Sequence, residues 1–266
     1  MGNPTLDAQI TAAKAYEALF VPALFGQWAA PLVDAAHVGA GHRVLDVGCG
    51  TGVVAREAQR RVGPDGEVVG LDPSPGMLAL ARTLNPTVEW CQGRAEALPW
   101  PDAAFDAVVS QFGLMFMDAE PAVREMLRVL KPSGTLVVAV WDAVDHSPGY
   151  AAEIAVLERV AGRRAADALR APFVLGDRDR LAAIFTSAGA ASVAVTTAMG
   201  QARFPSVRVM VEADLRGWLP VMGVHLDEEV IARVLRAADE DLLPFIAADG
   251  QVVFAAPAHL VVATAA

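Results

Sequence analysis

Short apolar runs alternate along the first half of the chain with segments whose apolar residues recur every three to four positions. The short runs, rich in β-branched residues, predict buried strands at 43–48, 67–72, 88–93, 105–113 and 134–142. The periodic segments predict helices at 53–62, 75–84 and about 121–130. Strands and helices in alternation with short links predict an α/β fold, with a parallel sheet covered by helices on both faces.

The pattern changes after residue 142. It predicts helices at 149–171, about 206–218 and about 227–243, and strands at 192–200 and after Gly250. The late helices are expected to form a lid over the edge of the sheet, where substrate selection commonly lies. The predicted organisation is a single domain over 1–266, divided into an N-terminal helical segment at 1–40, a core at 41–142, substrate-side elements with the lid at 143–250, and a C-terminal strand at 251–266.

Composition and charge exclude several kinds of partner. The chain has 266 residues and a formal net charge of -10, which disfavours a nucleic-acid partner. The first twenty residues lack the apolar region of a signal peptide, and runs such as "GTLVVAVW" are too short to span a bilayer. The two cysteines lack metal-ligand spacing. We therefore expect a cytoplasmic protein without a metal site or a membrane partner.

A glycine-rich stretch, "VLDVGCGTG" at 44–52, falls where the first predicted strand ends and the first helix begins. Ligands bind open α/β sheets at such a place, and glycines let a ligand approach the backbone closely. Asp46 is predicted to accept a hydrogen bond from a cationic amine or to hold the loop. The spacing differs from the dinucleotide pattern G-x-G-x-x-G, because Val53 occupies the third glycine position. Asp72, at the end of the second strand, is placed to bind a ribose diol.

Four segments resemble the class I S-adenosylmethionine-dependent methyltransferases, of the small-molecule subgroup that includes the ubiquinone/menaquinone-biosynthesis type. They are "VLDVGCGTG", "GLDPSPGMLALAR", "GRAEALPWPDAAFDAVVSQFGLMFM" and "EMLRVLKPSGTLVVAVWD", in that order over about residues 40 to 142. The resemblance implies a Rossmann-like, doubly wound, mostly parallel seven-stranded sheet with an added helical lid. It also implies S-adenosylmethionine as cofactor, with S-adenosylhomocysteine as product.

The resemblance assigns roles to matching positions. The glycine loop would hold the methionine part of the cofactor, and Asp72 would bind the ribose diol. Pro73 and Met77 would lie against the ribose or adenine. The predicted cofactor-binding residues are Asp46, Gly48, Cys49, Gly50, Gly52, Asp72, Pro73, Met77, Ala95, Glu96, Gln111, Phe112 and Tyr16. Ala95 and Glu96 would border the adenine, and Gln111 with Phe112 would lie beneath the sulfonium. The chain departs from the family pattern at Arg94, where an acid usually contacts the adenine amino group.

Some side chains keep two interpretations. Tyr16, Phe25 and Trp28 either close over the cofactor or pack as core residues. His146, which follows the fifth strand, is the best candidate for a general base if the acceptor must lose a proton, because histidine exchanges protons near neutral pH. His225 is the second candidate. A histidine in either place also suits a loop or a solvent contact.

The predicted reaction is methyl transfer to a small, hydrophobic acceptor through oxygen or carbon, with nitrogen possible; a homodimer is possible, and natural-product biosynthesis is one setting. Two alternatives remain: a cofactor-binding enzyme that catalyses a non-methylating cyclisation or elimination, and a non-catalytic protein that retains the cofactor. A nicotinamide oxidoreductase is opposed by Val53.

Overall fold

The computed structural model describes residues 5–265, so the predicted outer limits at residues 1 and 266 lie outside the described residues. Seven strands form one sheet in the order β3-β2-β1-β4-β5-β9-β6, and two further strands pair separately. The strands are β1 Arg43–Val47, β2 Glu67–Asp72, β3 Glu89–Gln92, β4 Phe105–Gln111, β5 Leu130–Trp141, β6 Ser192–Ala198, β7 Gln201–Phe204, β8 Val252–Ala255 and β9 Ala258–Thr264. Strands β1 to β5 pair in parallel, whereas β6 and β9 pair antiparallel. The predicted Rossmann-like, mostly parallel seven-stranded sheet is confirmed.

Two predicted strands differ in the structure, and β7 was not predicted. The strand β5 begins at Leu130, although the sequence pattern predicts a helix up to about residue 130 and a strand only from residue 134, and its register against β4 shifts between Phe105 and Ala107. The last apolar run forms two strands rather than one, because β8 pairs with β7 and β9 pairs with β6. Pro257 lies between them and has no backbone N–H to continue a ladder.

The helices follow the predicted periodicity closely in the core and less closely afterwards. They are α1 Leu6–Phe20, α2 Gly26–Ala35, α3 Val53–Val62, α4 Pro75–Leu84, α5 Ala119–Val129, α6 Pro148–Ala161, α7 Arg163–Arg170, α8 Arg178–Ser187, α9 Val207–Ala213, α10 Leu219–Val221 and α11 Glu228–Asp241. Gly162, with φ of 89°, divides the predicted 149–171 helix into α6 and α7. A π-helical turn at Asp214–Trp218 follows α9. The periodicity did not reveal α8, which buries only Leu181 and Phe185.

The chain packs as two compact units. Of the described residues, the sheet unit contains those up to 140, residues 177–198 and those from 258 onwards, and the helical unit contains residues 141–176 and 199–257. The sheet unit therefore also includes α8, β6 and β9, which come from the later half of the chain. The predicted division into core, lid and C-terminal strand, and the function of the lid, stay predictions.

Leu6–Ala35 runs as one helical stretch of 30 residues, because a π-helical turn at Val21–Phe25 joins α1 to α2. Its most apolar window has a mean hydropathy of 1.3 and is 33% buried, so by length and composition it could cross a membrane. The sequence pattern predicts a helical segment at 1–40 but does not reveal one continuous helical stretch of this length. Core helices of soluble proteins pass the same test, and α1 packs on α4, where a Cβ at Gly76 would lie 2.6 Å from the backbone of Gln9. The absence of a membrane partner stays a prediction.

Two carboxylic acids are buried in the helical unit. Glu153 on α6 is fully buried, and Asp214, the first residue of the π-helical turn, is 3% exposed. Burial raises the pKa of Asp214 to about 8, and burial together with the charge of Asp214 raises the pKa of Glu153. Tyr150 lies close to both acids. The pair therefore favours the protonated state at neutral pH.

This pair predicts a pH dependence of stability. Because both acids bind protons more tightly in the folded chain, their contribution is complete below pH 4 and is lost as pH rises towards 8. For each proton that is bound in the folded chain but not in the unfolded chain, the unfolding free energy falls by about 1.4 kcal/mol per pH unit. We expect denaturant titrations between pH 5 and 8 to show a steeper loss of unfolding free energy for the wild type than for Glu153→Gln/Asp214→Asn. Parallel curves for the two proteins would contradict the prediction.

Candidate functional site

The glycine loop connects the carboxyl end of β1 to the start of α3. Gly48, Gly50 and Gly52 have φ angles of 71°, 54° and 87°, in the left-handed region that side chains disfavour. The N–H groups of Gly48 and Cys49 donate to the carbonyl of Leu71, at 2.7 and 3.0 Å, which ties the loop to the end of β2. The three glycines are therefore required by the backbone before any ligand is considered.

The surroundings of the three glycines differ. A Cβ at Gly48 would lie 2.9 Å from Met117 Cε, and a Cβ at Gly52 would lie 2.3 Å from the ring of Trp90. A Cβ at Gly50, by contrast, would meet no atom within 4 Å among the described residues. Protein packing thus explains two of the glycines, and only Gly50 faces open space that a ligand could fill.

Asp46 holds the start of the helix that follows the loop. It is 1% exposed, and its Oδ2 accepts a hydrogen bond from the N–H of Ala55 at 3.0 Å, in the first turn of α3. Its Oδ1 is buried and has no hydrogen-bond partner among residues 5–265. Burial raises the pKa of Asp46 to about 7. A donor from a bound ligand would satisfy this oxygen.

Asp72 joins the end of β2 to the loop. It is 8% exposed and accepts hydrogen bonds from the N–H groups of Gly50, at 2.9 Å, and Ser74, at 2.8 Å. A carboxylate offers about four lone-pair sites, so two remain for a ligand. Burial raises the pKa of Asp72 although both amides oppose the rise.

The charges around the loop are mostly negative. Asp72 raises the pKa of Asp46, and both acids raise the pKa values of Tyr16 and Cys49, for which burial is the largest cause. Cys49 is buried, so its reactive thiolate form is disfavoured. Burial also disfavours the charged forms of Asp46 and Asp72, and a cationic ligand group beside them would stabilise those forms.

An aromatic cluster covers the end of β4. Tyr16 stacks on Phe25 with 5.3 Å between ring centroids, and Phe112 lies 5.6 Å from Phe25 and 6.0 Å from Trp28. Phe112 has φ of 54°, a strained value for a residue other than glycine. Trp28 is 3% exposed, as a core residue would be, whereas Tyr16 and Phe25 are half-buried. Closure of these rings over the cofactor stays a prediction.

Two polar residues connect the N-terminal helices to the site. Gln111 Nε2 donates to the carbonyl of Phe25 at 3.2 Å, while its Oε1 is buried without a partner in the described part of the chain. Glu17 accepts a hydrogen bond from the hydroxyl of Thr51 in the glycine loop and forms an ion pair of 2.7 Å with Arg56 on α3. The sequence did not reveal the role of Glu17, since no local pattern links α1 to the loop.

Of the remaining predicted residues, Pro73 directly follows β2, Met77 lies on α4, and Ala95 and Glu96 lie after β3. Pro73 is exposed and Met77 is half-buried, whereas Ala95 is 4% exposed. Glu96 Oε1 accepts hydrogen bonds from the Asp118 N–H and from Arg94, so its pKa is lowered although burial opposes the charge. The side chain of Arg94 thus pairs with Glu96.

The two histidine candidates belong to the helical unit. His146 lies in a short 3₁₀ turn, Val144–His146, and its Nδ1 is 2.8 Å from Asp142 Oδ2. His225 is exposed. Asp142 was not among the predicted site residues, although its spacing of four residues from His146 was visible in "WDAVDH".

Residues 44–134 match a family model described as a methyltransferase domain. Over 118 residues, 42% are identical to the ubiquinone/menaquinone biosynthesis C-methyltransferase of Pasteurella multocida, an alignment that covers 42% of this chain and 44% of that protein. The chain thus spans about half the length of the curated relatives it matches.

Two solved structures share the fold. The phosphoethanolamine N-methyltransferase 2 of Haemonchus contortus, in complex with phosphomonomethylethanolamine and S-adenosylhomocysteine, is 18% identical, with a TM-score of 0.60 over 99% of this chain and 60% of that one. The [4+2]-cyclase SpnF is 23% identical, with a TM-score of 0.53 over 91% of this chain and 81% of that one. Since one neighbour is a methyltransferase and the other a cyclase, the fold alone does not select the reaction.

Proposed function

We propose that this chain, whose residues 44–134 match a methyltransferase domain, transfers a methyl group from S-adenosylmethionine to a small, hydrophobic acceptor. The acceptor atom is oxygen or carbon, with nitrogen possible. The proposal rests on that match and on the 42% identity to a C-methyltransferase over 118 residues.

The observation that carries the proposal is the acid that adjoins the glycine loop. S-adenosylmethionine bears a ribose diol and a cationic ammonium group, and the buried Asp72 accepts a hydrogen bond from the N–H of Gly50 at 2.9 Å, where an added Cβ would meet no atom within 4 Å among the described residues. Asp46 Oδ1 and Gln111 Oε1, which have no hydrogen-bond partner within residues 5–265, offer acceptors for ligand donors. The residues fit this cofactor better than a dinucleotide, because Val53 occupies the third glycine position of the dinucleotide pattern.

We assign the cofactor contacts residue by residue. Asp72 takes the ribose diol, and the methionine part occupies the space at Gly50. Pro73 and Met77 lie against the ribose or adenine, and Ala95 with Glu96 borders the adenine edge. Arg94 acts on this edge through its ion pair with Glu96. The bound cofactor supplies a methyl group already activated by its sulfonium, so the protein contributes alignment, exclusion of water and proton removal.

The hydrophobic acceptor is supported by apolar side chains that the helical unit leaves exposed, such as Val221 at 72% and Leu243 at 61%. The name of the relative from Pasteurella multocida points to quinone chemistry for that protein. We propose a phenolic or enolic acceptor for this chain, handled in the cytoplasm. We also propose that this methylation is a step in natural-product biosynthesis.

The test measures binding and turnover separately. Calorimetric titration should detect binding of S-adenosylhomocysteine and none of NAD. Incubation with S-adenosylmethionine and a panel of hydroquinone, 1,4-naphthohydroquinone, catechol and aniline should yield S-adenosylhomocysteine and a methylated product in equal amounts, measured by mass spectrometry.

Other results would change the assignment. Binding without turnover, together with an isomer of unchanged mass among small molecules incubated with the protein, would favour a cyclase. Cofactor that stays bound and unconsumed throughout would favour a non-catalytic protein. A failure to bind S-adenosylhomocysteine would overturn the proposal.

A further inference from the structure

Asp142 is a buried acid that directly follows β5. It is 6% exposed, and its N–H donates to the carbonyl of Pro257 at 3.1 Å. Its Oδ1 accepts a hydrogen bond from the N–H of Ala143 at 2.7 Å. A Cβ at Gly176 would lie 2.4 Å from the backbone of Ala143, so close packing at this point leaves the acid little freedom.

The other oxygen of Asp142 contacts His146. Its Oδ2 lies 2.8 Å from Nδ1 of His146, and the histidine backbone N–H donates to the carbonyl of Ala143 at 2.9 Å. An ionised carboxylate can only accept a hydrogen bond, so Nδ1 must donate. The neutral imidazole then carries its single proton on Nδ1, and Nε2 keeps a lone pair.

The imidazole edge that bears Nε2 is accessible. The side chain of His146 is 63% exposed, and no partner of Nε2 is found within residues 5–265. Asp145, in the same turn, is also exposed, and within residues 5–265 the side-chain hydrogen bond of His146 goes to Asp142 rather than to Asp145. A solvated histidine with no partner at either nitrogen would exchange between tautomers freely, whereas this one has a fixed acid on one side only.

We infer that Asp142 is a positioning residue that orients His146 as the general base, with Nε2 as the atom that accepts the proton of the methyl acceptor. This inference rests on the proposed function. The acceptor's O–H or acidic C–H bond breaks, its proton moves to Nε2, and the electron pair stays on the acceptor atom, which becomes the nucleophile. The imidazolium formed is stabilised by Asp142 and returns its proton to water.

The first experiment needs neither cofactor nor acceptor. Nitrogen-15 NMR of the histidine rings in the full chain should show the proton on Nδ1 of His146 in the wild type. The Asp142→Asn variant should lose this preference, because a carboxamide can also donate to Nδ1. Asp145→Asn, the matched control in the same turn, should leave it unchanged. A proton on Nε2 in the wild type, or identical spectra for wild type and Asp142→Asn, would overturn the inference.

The second experiment measures turnover with the best phenolic acceptor of the panel above. His146→Gln should lower kcat by about 100- to 10,000-fold, and Asp142→Asn by at least about tenfold, with the KM for S-adenosylmethionine unchanged. The double variant should be no slower than His146→Gln alone, since the two residues act as a unit. Additive losses, or wild-type kcat in Asp142→Asn, would overturn the inference.

The two experiments separate the inference from the proposed function. If no acceptor in the panel is methylated, the proposed function loses support, while the NMR result still decides whether Asp142 orients His146. A correct tautomer together with wild-type kcat in His146→Gln would show an oriented histidine that is not the base, and would overturn the catalytic part of the inference.

Discussion

Replacing Asp72 with alanine is expected to weaken binding of S-adenosylhomocysteine by about 30- to 1,000-fold, which corresponds to about 2–4 kcal/mol. The carboxylate is 8% exposed and lies where the ribose diol is proposed to bind. It also holds the N–H of Gly50 at 2.9 Å, so its removal loosens the loop that faces the ligand. Both losses act in the same direction on affinity.

Calorimetric titration of the folded variants measures this effect. The matched control is Asp65→Ala, because Asp65 is an exposed acid just before the opposite end of β2. Asp72→Asn, which keeps one acceptor oxygen, should fall between the wild type and Asp72→Ala. Equal dissociation constants for Asp72→Ala and Asp65→Ala would show that the ribose contact is assigned wrongly.

The variant Gly50→Val is expected to abolish detectable binding of S-adenosylhomocysteine while the chain still folds. The valine side chain would occupy the space at Gly50, where an added Cβ meets no protein atom within 4 Å in the described chain. The left-handed φ of 54° adds a strain of about 1–2 kcal/mol for a residue with a side chain. The backbone strain lowers the stability of the fold, whereas the valine side chain lowers the affinity for the ligand because it fills the ligand's space.

Gly41→Val separates these two effects. Gly41 has φ of 77°, its added Cβ also meets nothing within 4 Å among the described residues, and it precedes β1, at the opposite end of that strand from the glycine loop. Both variants should lose similar unfolding free energy in denaturant titrations, but only Gly50→Val should lose the ligand. Normal affinity in a folded Gly50→Val would refute the assignment of this space to the cofactor.

The core of the fold could be predicted because its signals are local. The helices α3 and α4 begin and end where the sequence pattern places them, since glycine, serine and proline stand at their boundaries. The strands β1, β2 and β4 are short, mostly buried runs, which the apolar pattern of the sequence shows directly. The later half was less predictable, because whether a run such as 252–264 forms one strand or two depends on partners distant in the chain.

The sequence by itself determined the kind of loop after β1, the acid at the end of β2 and the order of core elements. Each depends on residue types at fixed spacing, and backbone geometry restricts those positions to few residues. Only the tertiary structure decided why each glycine is needed: Met117 and Trp90 crowd Gly48 and Gly52, whereas Gly50 stays open.

The tertiary structure also decided the hydrogen-bond partners of the site's polar groups. Glu17 reaches Thr51 and Arg56 from a helix more than thirty residues away in sequence, and Asp46 extends past the loop to Ala55. A hydrogen bond depends on distance and angle in space. The sequence fixes these only through the packing of the elements that carry the two groups.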